Sequence, residues 1–130
     1  MERVTGIGGV FLRAKDPAAL FAWYRDHLGI DPAFDGGTVF PWHDPADPGD
    51  APPGTTTWAL FPADTTYVGS LGQAAMVNYR VRDLDAMLAQ LRVAGAVVDE
   101  HVEVMEYGRF GWAVDPEGNR FELWEPAAGG

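Results

Sequence analysis

The chain has 130 residues, 47% of them apolar, which suits one compact domain with a buried core and argues against global disorder. Nineteen acidic residues against nine Lys and Arg give a formal charge of −10, a surface that repels phosphate backbones and disfavours nucleic acid as a partner. There is no cysteine, which excludes disulfides, thiolate metal sites and a cysteine nucleophile.

No apolar run approaches the roughly 20 residues of a membrane helix, and Met1-Glu2-Arg3-Val4 has no signal-peptide pattern, so a cytoplasmic protein with no membrane partner is expected. The acidic charge has two readings: it keeps the chain soluble, or it concentrates cationic small molecules near it.

In chain order, Gly9-Val10-Phe11-Leu12-Arg13-Ala14-Lys15-Asp16 reads as a strand running into a helix over 16–28. Asp16 is an N-cap candidate and Pro17 sits at the first helical position, where its missing N–H costs nothing. Leu20, Phe21, Tyr24 and Leu28 form an apolar stripe at helical spacing, and Gly29 follows as a stop. Strand-like runs follow at about 37–43 and 56–62. Between them lies Asp44 to Thr57, whose Pro45, Pro48, Pro52 and Pro53 leave room for no regular element; it is an inert exposed loop or a flap over a pocket.

About half a chain after the first copy, Met76-Val77-Asn78-Tyr79-Arg80-Val81-Arg82-Asp83 repeats the strand-to-helix pattern. Asp83 is the cap, Leu84, Met87, Leu88 and Leu91 the stripe, and Gly95 the stop of a helix over 83–94. Strands are then expected at about 97–104, 109–115 and 119–125. The last two flank Asp115-Pro116-Glu117-Gly118-Asn119, where Pro presets φ and Gly or Asn tolerates positive φ, so they form a hairpin. Each helix would cover one sheet face, and the opposite faces would curl around a cleft, an α+β architecture.

The repeat resembles the paired βαβββ modules of the vicinal oxygen chelate (VOC) superfamily, the glyoxalase, bleomycin-resistance and extradiol dioxygenase type. The similarity is strongest over Tyr107–Pro126, with its Asp-Pro-x-Gly-Asn turn and Glu-Leu strand, and continues in Asp16-Pro17, Trp23-Tyr24 and Leu28-Gly29. It implies a single domain over 1–130, with modules at 4–62 and 75–126 forming a curled mixed sheet around a central cleft. It also implies a homodimer, some members of the family sharing modules between chains.

Enzymes of this family hold a divalent metal through His, Glu or Gln on the first and last strand of each module. By that resemblance the ligand positions fall on Gly9, on the run Thr57–Phe61, on Met76 and on Glu122. Only Glu122 carries a suitable donor, so the usual metal site is expected to be absent and no cofactor is implied. His27 near a helix end, His43 at the start of the proline loop, and His101 beside Glu100 and Glu103 do not restore the set. They read as exposed or structural groups and a solvated charge cluster.

Strand alternation then assigns cleft residues. Phe121 and Leu123 pack beneath a helix, leaving Arg120, Glu122 and Trp124 toward the cleft. Val77, Tyr79 and Val81 take the core side, leaving Met76, Asn78 and Arg80, and Phe11 and Arg13 face the cleft from the first strand. Trp58 and Trp112 are neighbouring candidates, so the ligand-binding set is Glu122, Trp124, Asn78, Arg80, Trp112, Trp58, Met76 and Phe11. Trp42, Trp58, Trp112 and Trp124 all fall on strand-like segments; each is explained by core packing, and together they suggest an aromatic-lined pocket. Glu122 either contacts a ligand or pairs with Arg80 or Arg13.

Two functions follow. One is a metal-free protein that binds a small molecule, sequestering a flat or cationic organic compound or antibiotic through stacking, cation–π attraction and a charge-assisted hydrogen bond. The alternative is a glyoxalase-like or dioxygenase-like enzyme, metal-dependent through a relocated site or using Glu122 as general base.

Overall fold

The computed structural model describes residues 1–42 and 54–127. The elements are β1 (Val4–Ala14), α1 (Pro17–Leu28), β2 (Gly37–Trp42), β3 (Gly54–Pro62), β4 (Ala75–Val81), α2 (Leu84–Val93), β5 (Val97–Val98), β6 (Glu103–Met105), β7 (Gly108–Val114) and β8 (Arg120–Pro126). His43 and the proline loop up to Pro53 lie outside the described residues.

Local chemistry fixes both helix starts. Asp16 accepts from the Ala19 amide at 3.0 Å, and Asp83 accepts from the Ala86 amide at 3.0 Å, each satisfying a donor the helix cannot pair itself. Gly29 closes α1 at φ +69°, a left-handed conformation that costs glycine little. The two stripes differ in depth. Leu84, Met87 and Leu88 of α2 are buried, whereas α1 buries only Phe21 and leaves Leu28 60% exposed, against the expected stripe; Leu28 is not among the residues packed in the cluster beneath α1.

The sheet runs β2-β3-β1-β4-β8-β7-β5, with β6 also paired to β7. At its centre β1 and β4 are antiparallel; outward from them β3 and β8 lie parallel to their neighbours. Each half therefore places its first strand at the middle, its last strand next, and its intermediate strands outside. The result is the α+β curled mixed sheet that the sequence pattern implies.

Two boundaries differ from expectation. β3 begins at Gly54, because Thr55, Thr56 and Thr57 follow the last proline and β-branched residues favour the extended chain. The run 97–104 breaks into β5 and β6, because Asp99 turns back to accept from the His101 amide at 2.9 Å. The closing hairpin forms as expected. Asp115 accepts from the Glu117 and Asn119 amides at 2.9 Å each, and Gly118 takes φ +88°.

One apolar cluster sits under each helix, around Phe21 and Leu60 for α1 and around Leu84 and Leu123 for α2. A third, containing Phe11, Met76 and Trp112, lies on the opposite, concave face. That face carries the cavity.

Candidate functional site

Alternation along the strands builds the cavity. On β3, Thr55, Thr57, Ala59 and Phe61 face it; on β8, Glu122 and Trp124 do, while Phe121 and Leu123 pack under α2. Its volume is about 570 Å³, enough for a drug-sized molecule. The walls are aromatic. Phe61 stacks on Tyr67 at 5.3 Å between ring centres, and Phe110 stacks on Trp124 at 6.3 Å.

Glu122 is 1% exposed on the cavity floor, where an unpaired charge would be costly. Three donors converge on it. Asn78 donates Nδ2–H to Oε1 at 2.5 Å, Trp112 donates Nε1–H to Oε2 at 2.8 Å, and the Tyr67 hydroxyl also donates to Oε2. Burial pushes the Glu122 carboxyl above its ordinary range, against these hydrogen bonds and the nearby Arg120 charge, which pull it down. Burial, then the Glu122 charge, push the Tyr67 hydroxyl up, so it stays a donor.

The structure brings Phe11, Asn78, Trp112, Glu122 and Trp124 to this one cavity. It places the other expected site residues elsewhere. Met76 is fully buried beneath the floor, packed with Phe11 and Trp112. Trp58 points to the helix side, against Phe21 and Tyr24 of α1. Arg80 lies over the Trp42 ring at 6.0 Å, and Trp42 donates to the Thr56 hydroxyl at 2.8 Å rather than facing the cavity. Arg120 covers Trp112 at 5.3 Å and approaches Asp99 at 3.7 Å.

Arg13 does not pair with Glu122 or line the cavity. Its guanidinium donates to five backbone carbonyls, those of Ala63, Thr65, Gly69, Ser70 and Gln73, at 2.6–3.0 Å. Gln73 completes the tie, bonding Ala75 and both backbone groups of Arg120 at 2.8–2.9 Å. These bonds fix the segment between β3 and β4, and that segment carries Tyr67. Strand parity gives no face to a residue outside the strands, so the sequence offers no signal for Tyr67. Phe61 and Phe110, in contrast, follow from parity once the helix-facing side of each strand is known.

The internal two-fold tests the family's metal positions. Phe11 and Asn78 stand equally far ahead of their capping aspartates. Phe11 pairs with Ala59 and Asn78 with Glu122, so Ala59 is the first-half counterpart of Glu122. The four positions are thus Gly9, Ala59, Met76 and Glu122: one carboxylate, one buried thioether and two positions without a donor. With three donors already aimed at that carboxylate, this set does not fit a divalent cation. Among the described residues no three His, Asp or Glu gather at another point. His27 is exposed beside Trp23, and the exposed His101 lies flat on Trp112, 5.8 Å between ring centres.

Comparison with known proteins adds to this geometry. A family described as "Glyoxalase-like domain" matches residues 9–124. The methylmalonyl-CoA epimerase of Mycobacterium tuberculosis is 27% identical, with a TM-score of 0.57 over 95% of this chain and 89% of that one. A variant of the Streptomyces coelicolor methylmalonyl-CoA epimerase, in complex with 2-nitronate-propionyl-CoA, is 17% identical with a TM-score of 0.67 over 97% of each chain. A glyoxalase/bleomycin resistance protein/dioxygenase superfamily member from Vibrio splendidus 12B01 is 14% identical, with a TM-score of 0.56 over 96% of this chain and 99% of that one. No curated protein matches the sequence. Among the described residues, no helix is long and apolar enough to cross a membrane.

Proposed function

The chain belongs to the glyoxalase-like domain family of the VOC superfamily, and we propose that it is a metal-free member that binds a flat organic molecule in its concave cavity. One observation carries this reading. The single acid at a family metal position, Glu122, is enclosed by Tyr67, Asn78 and Trp112, and the space above it is walled by aromatic rings. Donors that neutralise a buried carboxylate do the work a cation would do there, and π faces supply affinity without a catalyst.

The competing reading is an enzyme that uses Glu122 as general base. Its raised carboxyl favours that role, since a base works best with a pKa near the operating pH. Two features count against it. Glu122 is 1% exposed with both oxygens engaged, and no Lys or Arg is among the residues lining the described cavity to receive the phosphates of a coenzyme A ester.

The test is metal content after incubation with Ni, Zn, Mn, Co and Fe(II) and desalting, followed by a Trp-fluorescence screen of planar compounds. The expected result is under about a tenth of an equivalent of every ion, with saturable quenching by at least one compound. One equivalent of metal, lost in Glu122→Ala, overturns the reading.

A further inference from the structure

The cavity's polar groups are unevenly divided between donors and acceptors. Glu103 on β6 presents a half-buried carboxylate to it, close enough for its charge to act on the Tyr67 hydroxyl, while Glu122 lies at the floor. No Lys, Arg or His is among the described lining residues.

Asn78 adds a second, independent observation. Its side chain is buried, 2% exposed, and its orientation is fixed because the amide nitrogen must face Glu122. Oδ1 is thereby turned away from the carboxylate, toward Gly8 and Trp124, and it has no hydrogen-bond partner. Gly8 and Trp124 both line the cavity. A buried carbonyl left without a donor is unfavourable, and native proteins fill such positions with water or a ligand. An occupant therefore meets the Glu103 carboxylate and π faces, which attract positive charge, beside the Thr55, Thr57 and Tyr107 hydroxyls, whose oxygens accept from N–H donors; Asn78 Oδ1 lies enclosed behind them.

We infer that the cavity selects a planar heteroaromatic cation bearing N–H donors over neutral or anionic rings of the same size. This rests on the binding reading above. Two stacked aromatic pairs, Phe61–Tyr67 and Phe110–Trp124, offer π faces to the ring system, and Glu103 supplies the counter-charge at the edge.

Three compounds with three fused rings separate the possibilities in equilibrium dialysis: proflavine, a cation with N–H donors; anthracene-9-methanol, neutral; and anthracene-9-carboxylate, an anion. The expected result is one proflavine per chain, bound about tenfold tighter than the alcohol, with the carboxylate weakest. Glu103→Gln should remove most of the cation's advantage over the alcohol while leaving the thermal unfolding midpoint in place. Equal affinities, or tightest binding of the carboxylate, overturn the inference and leave the binding reading standing. Several proflavines per chain with no effect of Glu103→Gln also overturn it, since the net negative charge alone would then be the attractant. Binding of none of the three overturns the binding reading itself.

Discussion

The two halves of the sheet share strand order and helix caps, yet they divide the work at the cavity. The first half supplies wall, with Phe11, Thr57, Ala59 and Phe61 and no ionisable group among them. The second supplies the polar floor, with Asn78, Trp112 and Glu122 joined in one hydrogen-bonded set. Their helices differ in the same sense, α2 burying three residues and α1 one. An internal repeat fixes where backbone goes. It leaves each copy free to keep or lose the chemistry.

The contrast is most sharply tested in the helices. Leu84→Ala removes a fully buried side chain and should cost about 3 kcal/mol, whereas Leu28→Ala, 60% exposed, should cost no more than about 0.5 kcal/mol. Urea denaturation measures both, and equal losses would break the claim that the second half is the better packed.

Next in size is Arg13→Ala, expected to cost about 2 kcal/mol, because five carbonyls of 63–73 lose their shared donor. Hydrogen exchange should rise in that segment before any strand opens. Arg13→Lys should recover little, since an ammonium offers three donors and no planar fork.

How much of this could be read from the sequence depended on the range of the forces involved. The helix starts and the Asp115–Asn119 turn were legible because a side chain there bonds backbone only two to four residues away. The orientation of β8 was legible because Phe121 and Leu123 alternate with Arg120 and Glu122. β3 was not, since Trp58-Ala59-Leu60-Phe61 is apolar on both faces: one meets α1 and the other the cavity, so alternation does not tell them apart. Trp58, for that reason expected at the cavity, packs against Phe21 and Tyr24 of α1. Tyr67 was beyond reach because its place depends on Arg13, a contact between distant parts of the chain with no periodic trace.

Tyr67→Phe probes the polar floor. It removes one donor from Glu122, should cost about 1 kcal/mol, and should raise the Glu122 carboxyl further, as carbon-13 NMR of that carboxyl would record. The sign for stability follows. A carboxyl raised by burial contributes most below its ordinary value, and that contribution is lost as pH rises through the folded value. Glu122→Gln should flatten this slope between acidic and neutral pH; an unchanged slope would remove Glu122 as its source.

The smallest expected effect is at the closing turn. Backbone and side-chain bonds from Asn119 hold Asp115 below its ordinary range, so its contribution is present at neutral pH and disappears as pH falls through that lowered value. Asp115→Ala should unfold slightly earlier than the parent at neutral pH and alongside it in strong acid.

Arg13 belongs to β1, Tyr67 to the connecting segment, and Glu122 to β8, and the floor is complete only when all three meet. A single proteolytic nick between Pro62 and Ala75 would spare the residues of every strand pairing and still release Tyr67 from Glu122, so the integrity of the pocket floor rests on a segment that belongs to neither half of the sheet.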